Sequence, residues 1–216
     1  MTTSGAFVTG TDTGIGKTLV SACLVRAWAA DYWKPVQTGL AEDPGDSATV
    51  AALAGLSPAR VHPPVYELAA PLSPHAAAAL ENVTIALDDF TLPATARPLV
   101  VEGAGGLLVP LNRSAFMIDL VARLGLPVVL VARSTLGTIN HTLLSLEALR
   151  ARHLPIAGVV LNGPDNPGNR AAIEQFGCVP ILAVLPRLNH TPDAKAVAGL
   201  AGEIGGRCPP IPPAKG

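Results

Sequence analysis

Residues 7–24 read FVTGTDTGIGKTLVSACL, and the fold turns on this stretch. Its opening is apolar and β-branched, its middle is rich in Gly and Thr, and from Lys17 onward apolar residues return at helical spacing. That order predicts a strand, a loop and a helix. Gly14 and Gly16 let backbone N–H groups approach a phosphate. The start of the helix adds positive potential, Lys17 reaches β- or γ-phosphate oxygens, and the Thr18 hydroxyl is suited to ligate Mg²⁺. Thr13, Ile15 and Leu19 complete the segment expected to wrap a nucleotide. A tight strand-to-helix turn with no ligand is the alternative, and the coincidence of lysine, hydroxyl, strand and helix argues against it. The loop is a variant of G-x-x-x-x-G-K-[ST], with Thr11 in the first glycine position and Gly10 one residue earlier.

Working outward, short runs rich in Val, Ile and Leu recur at Ala6–Thr9, Tyr32–Val36, Leu99–Val101, Val128–Ala132, Ala157–Leu161 and Ile181–Leu185. They alternate with amphipathic stretches. One places Leu19, Val20, Cys23, Leu24, Ala27 and Trp28 on one stripe, and another does the same with Ile139, Leu143, Leu146 and Leu149. Strands alternating with helices predict an α/β fold, a mostly parallel sheet covered by helices on both faces, in a single P-loop NTPase-like domain. Residues 1–206 are read as that domain, and 207–216 as a loose Pro-rich tail. Ser57 to Pro74 has no clear period and holds five prolines, which predicts an irregular excursion near the ligand face.

Composition narrows the classes of function. A chain of 216 residues with 49% hydrophobic and 14% charged residues is a packed domain of ordinary size. Fifteen Lys plus Arg against sixteen Asp plus Glu leave a net charge of −1, so no global basic field holds nucleic acid or an anionic membrane. Three cysteines without a C-x-x-C pair indicate neither a disulfide framework nor a zinc site. With no basic start followed by an apolar run and no span-length apolar segment, a cytoplasmic protein is expected.

Several residues outside the loop carry chemistry. Glu102 ends the run PLVVE, where a parallel strand delivers its side chain to the crevice above the sheet; there it can hold Mg²⁺, or it is a helix cap or a solvated carboxylate. Asp46, in GDSATV, is open to a ligand role or to capping the next helix. Lys34 precedes Pro35 at a strand end and faces the phosphate crevice, or is a surface charge. Asn162 follows the strand AGVVL and can pair with an adenine edge, or forms an Asn-Gly turn with Gly163. His75 and His141 lack partner ligands at metal spacing, so capping or core hydrogen bonding is their expected role.

Four motifs in order, KPVQTG (34–39), PLSPH (71–75), EGAGGLLVPL (102–111) and GTINH (137–141), together with the variant loop, make the chain resemble the dethiobiotin synthetases of the biotin pathway. The resemblance runs from Phe7 to about Leu188. It implies closure of a cyclic urea on 7,8-diaminononanoate by CO2 or bicarbonate and ATP, through a carbamate and a carbamic-phosphoric anhydride, with Mg²⁺ as cofactor. It further implies that Lys17 and Lys34 are catalytic and that Thr38 touches substrate. Thr18, Asp46 and Glu102 hold the metal, and Gly103, Ala104 and Gly105 line the nucleotide. Asn162 reads the base, with Gly163 standing where many relatives are acidic. Pro186, Arg187 and Leu188 close over the nucleotide, Arg187 being a departure from the family. Leu136, Gly137 and Asn140 reach the substrate of a partner subunit in a homodimer. Neither nucleic acid nor membrane is an expected partner.

Two other classes share parts of the pattern. Amide-forming ligases of the cobyrinic acid type need an added glutamine-hydrolysing domain, for which this length leaves no room. Partition and septum-site ATPases carry a signature lysine where this chain has Asp12.

Overall fold

The computed structural model describes residues 4–186, 192–206, 208 and 210; Arg187 and Leu188 lie outside the described residues. The strands are β1 (Gly5–Gly10), β2 (Asp31–Trp33), β3 (Val36–Gln37), β4 (Val61–His62), β5 (Tyr66–Glu67), β6 (Leu99–Gly106), β7 (Val128–Arg133), β8 (Ile156–Asn162) and β9 (Ile181–Leu185). The helices are α1 (Lys17–Trp28), α2 (Gly45–Ala54), α3 (Pro74–Leu80), α4 (Met117–Leu124), α5 (Thr138–Ala151), α6 (Pro167–Gly177) and α7 (Ala194–Gly205).

Seven strands form one sheet in the order β4-β2-β6-β1-β7-β8-β9, and every pairing in it is parallel. Successive side chains of a strand point to opposite faces, and both faces are apolar here. Ala6, Val8, Val100, Val129 and Val131 pack on one side with Val20 and Leu24 of α1 and with Val197 and Ile204 of α7. Phe7, Leu99, Val101 and Val128 pack on the other with Met117, Ile118 and Val121 of α4. With apolar burial contributing about 25 cal/mol per Å², these two layers fix the sheet and thereby the positions of its strand ends. The C-terminal ends of β1, β2 and β6 open on one crevice, and α1 starts directly above it.

The structure departs from the sequence expectations in four places. The run Tyr32–Val36 is two strands, because Pro35 has no N–H for the ladder; β2 ends at Trp33, and β3 restarts at Val36 to pair with β5 in a separate two-stranded sheet. The run at Leu99 continues past Glu102 to Gly106, so Glu102 is mid-strand rather than terminal. The excursion from Ser57 to Pro74 contributes β4, an edge strand of the main sheet, and β5; pieces of two residues carry no readable period. The tail begins packed: Cys208 is buried and its carbonyl accepts the Trp28 indole N–H at 2.6 Å.

Candidate active site

The phosphate loop leaves β1 and enters α1 through Gly16, whose φ of 99° lies in the left-handed region. A Cβ there would lie 2.1 Å from the Asn162 amide nitrogen, so only glycine fits. That amide donates to the Ile15 carbonyl at 2.8 Å, tying the loop to the end of β8. Asp12 braces the other side. One of its carboxylate oxygens accepts the Thr13 N–H at 2.7 Å, and the other pairs with Arg133, at the end of β7, at 2.8 Å.

Lys17 and Thr18 open α1 at the mouth of the crevice. The Lys17 ammonium donates to the Asp12 carbonyl at 3.0 Å. Burial pulls its pKa below the usual lysine value, only partly offset by the charge of Glu102. The Thr18 hydroxyl lies 2.7 Å from Asp46 Oδ1 and 3.2 Å from Glu102 Oε1. Asp46 occupies the first turn of α2, where a carboxylate is favoured by the helix dipole. Its backbone N–H donates to the Gln37 side chain at 3.0 Å, which anchors the start of that helix over β3.

Lys34 sits in the break between β2 and β3 and is buried, at 3% exposure. Its ammonium lies 2.6 Å from Asp46 Oδ2, 3.4 Å from Glu102 Oε1 and 3.3 Å from the Gly103 carbonyl. Burial alone would lower its pKa, but the charges of Glu102 and Asp46 and the hydrogen bonds to both raise it above the ordinary lysine value. Burial alone would raise Asp46; the charge and hydrogen bond of Lys34, with the Thr18 hydroxyl, hold its carboxyl below the ordinary value. The signs follow from linkage. The Asp46 share of stability is present above the unfolded carboxyl value and is lost as pH falls through the depressed folded one. The Lys34 share is present below the unfolded lysine value and is lost as pH rises through the raised folded one. The pair is therefore intact across the neutral range.

Two cavities meet at the loop. One, of about 470 Å³, is lined by Lys17, Thr18, Lys34, Thr38, Asp46 and Glu102, with Ala104, Gly105 and Pro71 at its edge. The other, of about 540 Å³, is lined by Gly14, Ile15, Leu19, Asn162, Gly163 and Pro186. The first is charged and shaped for phosphate and a reacting group; the second suits a base. Gly163 has a physical reason: at φ 136° its Cβ would lie 2.4 Å from the Ser134 hydroxyl, so no larger residue, acidic or not, fits there without a shift.

Leu136, Gly137 and Asn140 are exposed at the start of α5 and line neither cavity of their own chain. His75 bonds the Ser73 hydroxyl at 3.0 Å, and His141 is exposed beside a groove, so neither is a core histidine. Three site residues escaped the sequence reading. Tyr32 was absorbed into a strand pattern, Gln37 was given no role within KPVQTG, and Arg133 carries no motif; only its pairing across the fold with Asp12 marks it.

The family described as AAA domain matches residues 4–195. An ATP-dependent dethiobiotin synthetase from Paramagnetospirillum magneticum is 57% identical over 196 residues, covering 91% of this chain and 94% of that protein. The chain belongs to the ATP-dependent dethiobiotin synthetase family. Another dethiobiotin synthetase, from Rhodopseudomonas palustris, is 56% identical over 84% of each chain. A biotin biosynthesis bifunctional protein from Bordetella avium is 67% identical over 193 residues, and there the match spans 89% of this chain but 41% of the longer protein. Among solved structures, a ParA family ATPase from Chlorobium tepidum (TM-score 0.51, 12% identity, 92% of this chain and 98% of that one) is similar. So is the MinD cell division protein of Aquifex aeolicus (TM-score 0.53, 12% identity, 95% and 98%). At such identity these two share the fold alone, a P-loop NTPase-like domain. Dethiobiotin synthetases are ATP-dependent carbon–nitrogen ligases of biotin biosynthesis, and this chain is an enzyme of that kind.

Proposed function

We propose that the chain closes the ureido ring of dethiobiotin on 7,8-diaminononanoate, consuming ATP and CO2 and releasing ADP and phosphate. The observation that carries this reading is the meeting of two lysines, a hydroxyl and two carboxylates in one crevice beside the phosphate loop. In this reading one substrate amine adds CO2 and loses a proton, giving a carbamate. A carbamate oxygen then attacks the γ-phosphorus of ATP and ADP leaves, producing a carbamic-phosphoric anhydride. The second amine attacks the carbonyl carbon, the ring closes, and phosphate departs. Lys17 and Lys34 supply fixed positive charge where the γ-phosphoryl group gathers negative charge. Gly14 and Gly16 present backbone donors to the phosphates, Thr38 orients substrate, and Asn162 with Gly163 and Pro186 flanks the base.

Mg²⁺ fits the donors present. The Thr18 hydroxyl, Asp46 Oδ1 and Glu102 Oε1 converge within hydrogen-bond distance, an all-oxygen set suited to a hard cation. These three residues would hold the ion, which would supply positive charge against the phosphates. The expected signature is in Glu102→Gln. A neutral amide is the poorer ligand, so the Mg²⁺ needed for half-maximal rate rises about ten-fold or more; an unaltered magnesium titration removes Glu102 from the metal shell. The reaction itself is tested by mass spectrometry of the product formed from ATP, Mg²⁺, bicarbonate and the diamino acid. ATP turnover that needs neither diamine nor bicarbonate would refute it.

The same reading includes a homodimer and a cytoplasmic setting. Leu136 is 98% exposed, and Leu108 and Leu144 are more than half exposed. The last two flank a groove of about 450 Å³ beside Asp12 and Thr13 of the phosphate loop. Exposed leucines around a loop that must hold nucleotide favour cover by a second copy. Among the described residues no helix is long and apolar enough to cross a membrane.

A further inference from the structure

Glu102 is fully buried, yet one of its oxygens takes no part in the crevice. Oε1 faces Thr18 and Lys34, whereas Oε2 accepts a hydrogen bond from the Tyr32 hydroxyl at 2.9 Å. Tyr32 lies on β2, the strand next to β6, and is itself fully buried. A hydrogen bond to an ionised carboxylate is about twice as strong as one between neutral groups, and here both partners are buried. Tyr32 touches neither crevice cavity.

We propose that Tyr32 is a positioning residue for the metal shell: its hydroxyl pins Glu102 Oε2, so that Oε1 alone is presented beside Thr18 and Asp46. The inference rests on the reading of Glu102 as a magnesium ligand. Its physical content is competition. Lys34 lies 3.4 Å from Oε1 but 2.6 Å from Asp46. A carboxylate freed from Tyr32 can rotate and draw both oxygens toward that ammonium, becoming a poorer ligand for a divalent cation. Orienting partners of metal ligands typically contribute ten-fold or more to metal affinity.

The test is metal binding, measured by calorimetric titration of Mg²⁺ into protein saturated with a non-hydrolysable ATP analogue. Tyr32→Phe, which keeps the ring, should weaken Mg²⁺ about ten-fold. In a Glu102→Gln background the same change should have little further effect on Mg²⁺, because the carboxylate ligand that Tyr32 orients has been replaced by an amide. A Tyr32→Phe loss that persists undiminished beside Glu102→Gln would mean a packing role and overturns the inference. A second readout needs no change at position 32. Tyr32 and Tyr66 are the two tyrosines of the chain, so 3-fluorotyrosine labelling gives two ¹⁹F signals, assigned with Tyr66→Phe. The Tyr32 signal should shift on Mg²⁺ addition and stay fixed in Glu102→Gln. A Tyr32 signal blind to the metal, in protein where Glu102→Gln weakens binding, sinks the positioning role alone. Unchanged Mg²⁺ affinity in Glu102→Gln sinks the metal-ligand reading and this inference with it.

Discussion

Lys34→Ala is expected to lose about 10²–10³ in turnover, the scale of one fixed electrostatic donor removed from a preorganised site. The structure adds a second effect that a surface lysine would not produce. Lys34 is the cation between Asp46 and Glu102, and without it two carboxylates face each other with only Lys17 nearby. Removing one partner of a buried pair costs roughly 3–5 kcal/mol, and the low end applies because the Asp46 side chain is one-third exposed. The variant should therefore melt earlier in the absence of divalent cation and recover part of that loss when Mg²⁺ is added, while turnover stays low in both conditions. Melting curves with and without Mg²⁺, read beside steady-state rates, separate the two effects. Wild-type turnover would reduce Lys34 to a structural charge.

The second large effect concerns how the site is completed. The substrate has a diamine that belongs beside the γ-phosphate and a carboxylate at the far end of a saturated chain. The start of α5 offers free N–H groups and a positive dipole end for an anion. Gly137 there has φ 92° and open space around it, and Leu136 projects into solvent; in the proposed homodimer this segment serves the neighbouring chain's substrate. Substituting Gly137 with valine strains this left-handed position and crowds the donors. Mixing inactive Lys34→Ala with inactive Gly137→Val, under conditions that exchange subunits, should restore activity. In a heterodimer with shared sites both defects fall in one site and the other is intact, giving roughly half the wild-type rate per dimer. No recovery despite verified exchange means that each chain serves only itself.

The parts of the site legible in the sequence are those where chemistry and backbone coincide in a short window. The loop from Thr13 to Leu19 is such a window, and so are KPVQTG with Lys34 and EGAGG with Glu102. Asp46 was legible only as a choice between cap and ligand, and its contacts with Thr18 and Lys34 come from residues 28 and 12 positions away. Tyr32 was not legible. Its hydroxyl matters through a carboxylate seventy positions away, and in the sequence it is one more aromatic residue in a strand. Arg133 and Asp12 are likewise joined only by the order of the sheet, which sets β7 beside β1. The short strands β4 and β5 were hidden because pairs of residues between prolines have no alternation to read, and the apolar run stops at Glu102 although the strand continues through the glycines after it.

The crevice carries no net positive charge: Lys17 and Lys34 face Asp46 and Glu102, and Glu42 and Asp43 also stand on its lining. A triphosphate entering alone would bring several negative charges to a place with no net positive charge to receive them. A divalent ion entering alone would have to displace the hold that Lys34 has on Asp46. Each is the other's missing counter-charge, so each must raise the affinity for the other, and by reciprocity the factor is the same in both directions. On the proposed reading, nucleotide and magnesium then load together, and the free magnesium level is expected to set how much of the enzyme is primed even when ATP is in excess.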